Sequence, residues 1–191
     1  MTVSEPQQSM PTNAYAVLGL ISFGESSGYD LKRLADHSIH FFYWSPAPSQ
    51  VYSELRRLES LGYVTERRVQ QETRPDKRLY HITPSGRDEL QRWLDESAVV
   101  PDVLKSVFLL KLFFGGDTSP EVLIGQLEAR FNQMEERLLQ YEEIENEIND
   151  QGDWLFPYLT LGYGMAHVRA EIEWIGSAID LLRGSSAGPL S

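Results

Sequence analysis

Between Pro46 and Pro84 the apolar period changes from helical to alternating and back, and this double switch constrains the fold more than any other feature of the chain. From Ser49 to Leu61 the residues Tyr52, Leu55, Leu58 and Leu61 recur at three-residue steps, the spacing of one helical face, and Gly62 is placed to end the helix. Pro46 and Pro48 stop any helix arriving from Phe41. Pro48 falls where a helix starts, because the first turn has no use for the N–H that proline lacks. Tyr63 to Gln70 then alternates β-branched and polar residues, and Arg78 to Thr83 (RLYHIT) is a second extended run. The polar, turn-rich QETRPDK between them predicts a β-hairpin with a charged tip. Thr83 followed by Pro84 caps a further helix, with Leu90, Trp93 and Leu94, to about Ser97.

Upstream, Tyr15, Val17, Leu18, Leu20 and Ile21 form one face of a first helix, with Asn13 as N-cap and Gly24 as stop. Ser27 caps a second helix, Gly28 to about Ser38, with Tyr29, Leu31, Leu34 and Ala35 inward and Asp30, Lys32 and Arg33 outward. Residues 13–97 therefore read helix, helix, helix, hairpin, helix. Three short helices with a two-stranded wing make the winged variant of the helix-turn-helix, whose third helix enters the major groove while the hairpin lies against phosphates. The expected fold class is mainly α.

The second half begins near Pro101. Val103 to Phe114 is apolar nearly all round and ends in Gly115-Gly116, which predicts a buried helix. Asp117 to Pro120 caps the next, where Ile124, Leu127, Phe131, Met134, Leu138, Tyr141 and Ile148 form a coiled-coil-like seam over about three heptads. Gly152 and Pro157 bound an aromatic break, and a last helix from Tyr158 to Arg183 carries small residues that allow close helix approach. A seam this long needs a partner surface, so residues 101–183 read as a helical dimerisation domain with Leu127, Phe131, Met134, Leu138, Tyr163, Ala170 and Trp174 as interface candidates. A two-fold dimer would set two third helices about 34–36 Å apart, one turn of duplex, and so suit a palindromic site. Residues 1–12 and 184–191 read as flexible tails.

Charge at first opposes nucleic-acid binding: 17 basic residues against 28 acidic give −11. The acid is concentrated, however, at −9 in residues 101–191 and only −2 in residues 1–100, and the window 56–78 is +3. Beyond a Debye length of about 8–10 Å charges barely interact, so a local basic face works on an acidic protein. Its candidates for contact with double-stranded DNA are Ser49, Gln50, Tyr52, Ser53, Arg56 and Arg57 on the third helix and Arg74, Lys77 and Arg78 on the wing. The absence of Cys removes disulfides, thiolate metal sites and Cys nucleophiles. No apolar run approaches the roughly 20 residues of a membrane span, and the N-terminus has no signal-peptide pattern, so the chain reads as cytoplasmic with no membrane partner.

Other groupings carry less chemistry. His37 and His40 lie three apart beside Asp36, a spacing that can serve a metal, yet no third and fourth ligand accompanies them, and no metal or cofactor is expected. His81 and His167 have no nucleophile and acid beside them, so no catalytic residue is assigned and the chain does not read as an enzyme. Glu142, Glu143, Glu145, Glu147 and Asp150 fit a solvated helix face, and Gly162-Tyr163-Gly164 lacks the third glycine of a dinucleotide fingerprint. Phe113, Trp154, Tyr158 and Trp174 fit either a core and dimer interface or a pocket for a small aromatic effector.

The runs NAYAVLGLI, SGYDLKRL, PSQVYSELRRLESLGYV and RPDKRLYHITPSGRDEL, in this order over residues 13–97, resemble the PadR-like transcriptional regulators. The most specific pieces are Gly28-Tyr29 with Leu31-Lys32, Val51-Tyr52 to Leu61-Gly62, and Arg78 with Tyr80, Thr83 and Gly86. Leu109 to Phe113, Gly162, Gly164, Glu171 and Trp174 resemble the longer, virulence-activator type of C-terminal domain. One departure is the aromatic FFYWSP before the third helix. The resemblance implies a homodimeric DNA-binding regulator, usually a repressor, held together by C-terminal helices. The rival expectation from the residues alone is a winged helix that docks another protein without binding DNA.

Overall fold

Residues 1–100 and 101–191 fold as two units, each with its own core. The computed structural model describes residues 10–43, 45–70, 76–95, 104–151 and 155–184. In the first unit α1 (Thr12–Ser22), α2 (Gly28–Asp36), α3 (Pro48–Ser60) and α4 (Pro84–Leu94) surround a hairpin of β1 (Val64–Val69) and β2 (Lys77–Ile82). Helix α1 is the hub, and its Ala14, Val17, Leu18, Leu20 and Ile21 meet Leu31 and Ala35 of α2, Val51, Leu55 and Leu58 of α3, and Val64, Tyr80 and Ile82 of the hairpin. Thirteen buried side chains thus come from every element except α4, which adds the half-buried Leu90.

The caps explain the boundaries. The Ser27 hydroxyl accepts the Asp30 N–H and the Asp30 carboxylate accepts the Ser27 N–H, a reciprocal capping box that starts α2 as expected. Pro48 opens α3, and Gly62, at φ 73°, supplies the left-handed conformation that ends it. The Thr83 hydroxyl accepts the Gly86 N–H to start α4. Asn13 is not the cap of α1: the helix begins at Thr12 after Pro11, so Asn13 lies inside the first turn and its side chain accepts the Tyr43 hydroxyl at 2.8 Å.

Two face assignments need correction. Tyr29 is 71% exposed, because Leu31 and Ala35 set the inner face of α2 and a residue two positions before Leu31 lies about 200° round the helix. On α3 the inner face is Val51, Leu55 and Leu58, while Tyr52 and Leu61 are exposed. Three-residue steps drift off a 3.6-residue helix, so the end members of the 52-55-58-61 series rotate away from the core. Leu94 of α4 is also exposed.

The hairpin is antiparallel, with Val64 opposite Ile82, Glu66 opposite Tyr80 and Arg68 opposite Arg78 on one face. Arg67 opposite Leu79 and Val69 opposite Lys77 fall on the other. Ser26 exchanges two backbone hydrogen bonds with Tyr80, at 3.2 and 2.9 Å, and so covers the free edge of β2.

The second unit comprises α5 (Val107–Phe113), α6 (Pro120–Gln151) and α7 (Leu155–Gly184). The expected buried helix 103–114 is shorter and is not buried within the chain: no residue of α5 is fully covered, and Phe113 is 82% exposed. Helices α6 and α7 form an antiparallel hairpin, tied by Arg183 to Glu128 at 3.0 Å, Arg130 to Glu171 at 2.8 Å and Tyr158 to Glu145 at 3.2 Å. The seam residues Leu127, Met134 and Tyr141 are buried in the unit whose other buried stripe is Leu161, Met165, Val168, Ile175 and Ile179 of α7. The seam therefore finds much of its partner surface in its own chain. At Gly164 an added Cβ would lie 3.1 Å from the Tyr141 ring, so the missing side chain is what lets that ring in.

Candidate nucleic-acid interface

The outward face of α3 gathers the polar residues expected there. Ser49, Gln50, Tyr52, Ser53, Arg56 and Arg57 are all exposed. Gln50 is partly occupied, because its Oε1 accepts the Ala47 N–H at 2.8 Å and helps start the helix. Its amide N–H groups stay available to a groove edge. Arg57 donates to Glu54 at 2.9 Å, whereas Arg56 has no ion pair among the described residues. The Tyr52 ring lies over Gly28 of α2, where an added Cβ would come within 2.5 Å of it. Gly28 thus sets how closely α2 and α3 cross, and Tyr52 presents its remaining surface outward.

On the wing, geometry separates cations that the sequence lists together. Arg67 donates to Glu25 from both Nε and Nη2, at 3.0 and 2.6 Å, and Lys77 pairs with Asp30 at 2.9 Å. Lys77, expected to meet phosphate, is thereby tied to the capping residue of α2. The Arg67 hydrogen bond lowers the Glu25 pKa, and Lys77 followed by Ser27 lowers that of Asp30. Arg68 and Arg78 instead share one carboxylate, Glu66, at 3.2 and 3.3 Å. Burial works to raise the Glu66 pKa, but the Arg68 hydrogen bond, the Arg78 charge and the Tyr80 hydroxyl hold it below the usual carboxylate value. Arg74 lies outside the described residues. Arg68 and its carboxylate were not among the sequence candidates, because the register that sets Arg68 opposite Arg78 depends on how the connecting turn closes.

In the helical unit, Leu127 and Met134 are fully buried within one chain, so they hold the α6–α7 hairpin and have no surface left for a partner. Phe131 and Leu138 are half-buried, while Tyr163, Ala170 and Trp174 stay exposed. Four exposed apolar residues of α7, Leu159, Tyr163, Trp174 and Leu181, fall with Ala166 and Ala170 on a second stripe at heptad-like steps, separate from the buried one. Of the four effector-pocket candidates, Tyr158 and Trp174 do not converge. Tyr158 and Trp174 lie 16 positions apart on one helix, about 24 Å at 1.5 Å per residue, and Phe113 packs edge-on against Phe114. Trp154 lies outside the described residues. Trp174 meets Phe108 edge-on at 6.4 Å, with the Arg130 guanidinium 6.0 Å from the Phe108 ring. Phe108 and Arg130 are aromatic and cationic neighbours that the sequence did not single out. Among the described residues no cluster of three or more His, Asp or Glu side chains is arranged to hold a metal, and no helix is long and apolar enough to cross a membrane.

Residues 17–92 match the profile of the Transcriptional regulator PadR-like family, and residues 104–183 match the Virulence activator alpha C-term profile. The chain is 40% identical over 100 residues to the "Negative transcriptional regulator PadR" of Bacillus subtilis, a stretch that spans 54% of that protein. It is 30% identical over 183 residues to the "Probable transcriptional regulator Rv1176c" of Mycobacterium tuberculosis, covering 88% of this chain and 96% of that one. Among solved structures, Bacillus subtilis PadR in complex with operator DNA is similar at TM-score 0.81 and 28% identity over 90% of this chain and 99% of that one. The same protein in complex with p-coumaric acid gives 0.74 and 25% identity, over 93% and 99%. The Vibrio cholerae virulence activator AphA gives 0.68 and 26% identity, over 91% and 99%.

Proposed function

Because the chain belongs to the PadR-like family of transcriptional regulators and ends in a domain of the virulence-activator type, we propose that it is a homodimeric repressor that binds a palindromic operator in double-stranded DNA. The family is one of regulators rather than enzymes. The observation that carries the reading is the outward face of α3, where Ser49, Gln50, Ser53 and Arg56 stand exposed beside a wing bearing Arg68 and Arg78. In this reading Arg56 reaches a guanine edge or a phosphate, Ser49, Gln50, Tyr52 and Ser53 meet bases or backbone near the helix N-terminus, Arg74 and Arg78 serve phosphates, and Arg57 and Lys77, paired with Glu54 and Asp30, flank the contact without a free charge. The operator complex of Bacillus subtilis PadR supports it.

Dimerisation is supported by the exposed second stripe on α7 and the uncovered apolar face of α5, which together form the kind of surface that marks a contact between chains. The solved p-coumaric acid complex of the Bacillus protein supports a small aromatic effector for this chain as well. Such a ligand acts only through unequal affinity for the DNA-competent and incompetent states. The site of action is the cytoplasm, where the DNA is.

Selection from a pool of random duplexes at two salt concentrations, followed by sequencing of what is retained, tests the reading. The expected result is one palindromic sequence whose affinity falls as salt rises, because neutralised phosphates release counterions. Retention of no duplex at low salt, or of duplexes without sequence preference, overturns it in favour of a protein-docking winged helix.

A further inference from the structure

We propose that Glu66 is the positioning residue of the wing, holding the Arg68 and Arg78 guanidiniums side by side as a pair that grips one DNA phosphate. The inference rests on the DNA-binding reading above and assigns a role inside it. Arg68 and Arg78 are directly opposite in the hairpin register, and like charges in that position destabilise a strand pair unless something sits between them. Glu66 does so. It lies two residues before Arg68 on the same strand face, and its two oxygens accept from Arg68 Nε at 3.2 Å and Arg78 Nη1 at 3.3 Å. The carboxylate is itself anchored, because the Tyr80 hydroxyl donates to it at 3.3 Å and the Tyr80 ring belongs to the core. A chain of contacts therefore runs from the buried core through Tyr80 and Glu66 to two exposed guanidiniums.

Charge balance decides what this cluster is for. On the opposite wing face, Arg67 is matched by Glu25 and Lys77 by Asp30, one carboxylate for each cation, so those pairs are neutral braces. Around Glu66, two guanidiniums share one carboxylate and a full positive charge is left over. Each arginine spends a single donor nitrogen on Glu66, and a guanidinium carries five N–H donors, so both keep N–H donors for an external anion. Two held guanidiniums with one surplus charge match a phosphate diester, whose two non-bridging oxygens share one negative charge.

The proposal and a simple charge effect predict opposite signs for one substitution. Glu66→Gln removes a negative charge near the DNA, and on charge alone it tightens binding to every duplex. As a loss of positioning it frees two long side chains that must then be ordered on binding, which weakens the selected duplex by about tenfold while a scrambled duplex of the same length is held as well as before or better. Glu66→Asp keeps the charge but shortens the reach, and is expected to weaken the selected duplex too. Arg78→Ala should cost much less in the Glu66→Gln background than in the wild type, since a pair already loosened has less to lose. All variants are compared by equilibrium titration against the duplex selected by the wild type, with thermal unfolding as the folding check; if Glu66→Gln does not fold, the same cycle run on Glu66→Asp decides. Wild-type or tighter binding by the Glu66 variants, or equal Arg78→Ala losses in both backgrounds, overturns the positioning role. Silent Arg68→Ala and Arg78→Ala variants overturn the grip itself, whereas failure of the wild type to bind any duplex overturns the DNA-binding reading instead.

Discussion

Replacing Glu89 by Gln should loosen the attachment of α4 to α1 by about 1–2 kcal/mol at neutral pH, and the effect should fade in acid. Glu89 is 9% exposed and accepts the Tyr15 hydroxyl at 2.7 Å and two Arg92 nitrogens at 2.6 and 2.9 Å. The Tyr15 ring stacks on Trp93 at 4.8 Å, so the trio clamps the two helices. Glutamine keeps the shape and an acceptor for Tyr15 but gives up the charge that holds Arg92. A hydrogen bond to a charged group is worth about 1.5–3 kcal/mol, and water recovers part of it because the Arg92 side chain is 43% exposed. With a urea slope of about 2 kcal/mol per molar, the unfolding midpoint should fall by roughly 0.5–1 M. The Arg92 hydrogen bond, against burial and with help from Tyr15, holds the Glu89 carboxyl below its usual 4.5. A carboxyl depressed in the folded state contributes fully above its unfolded value and loses that contribution as pH falls through the folded value. The gap between wild type and variant should therefore be constant near neutrality and begin to close below about pH 4.5. Equal midpoints at pH 7, or a gap undiminished in acid, would refute this account. On the alkaline side, burial and then Glu89 push the Tyr15 hydroxyl up to about 12, so the clamp should outlast the ordinary range of tyrosine ionisation.

Gly86→Ala should cost about 1–3 kcal/mol in urea unfolding, since the new Cβ would lie 2.1 Å from the Tyr63 carbonyl oxygen, which is backbone and cannot swing aside. Tyr163→Glu should convert the proposed dimer to monomers in sedimentation velocity with helicity unchanged, because Tyr163 is 69% exposed on the second stripe and takes no part in the α6–α7 core; a persistent dimer would move the interface elsewhere. Arg56→Ala should weaken binding to the selected duplex more than Arg57→Ala in parallel titrations, because Arg57 must first leave Glu54.

The elements were legible wherever their signals are local. Ser27, Pro48, Gly62 and Thr83 mark boundaries through bonds or backbone angles within three residues of themselves, and all four do so in the structure. Helix faces are legible only to about a third of a turn, which is why the spacing turns Tyr29 and Tyr52 inward and does not mark Val51. Non-local facts were hidden. Nothing adjacent in sequence couples Glu25 to Arg67, 42 residues away, or Tyr15 to Glu89, 74 away, so neither the wing braces nor the α1–α4 clamp could be read beforehand. The seam of α6 is legible as apolar but its partner is not, because periodicity says that a face is covered without saying by what. Exposure of α5 follows the same rule, since an all-apolar helix reads as buried whether its cover is the same chain or another.

The salt dependence of DNA binding should expose how many wing and α3 cations are truly free. Residues 56–78 carry seven basic side chains, or fourteen in a dimer. If each neutralised a phosphate, the logarithm of the affinity would fall with that of the salt concentration at a slope of about −13, since each contact contributes about −0.9. Internal pairing removes most of them: Arg57 is held by Glu54, Arg67 by Glu25 and Lys77 by Asp30, and Arg68 with Arg78 retains one surplus charge above Glu66. Arg56 and that surplus give two contacts per protomer, and Arg74 can add a third. A dimer should then show a slope of about −4 to −5. Measured on the selected duplex, a slope steeper than about −10 would mean that the carboxylates release their cations on binding, and the neutral braces of the wing would have to be redrawn as latent phosphate contacts. A slope near the smaller value would mean that the acidic residues of this unit already perform part of the phosphate's role before DNA arrives, so that an acidic chain offers a duplex a few fixed positive points instead of a diffuse basic surface.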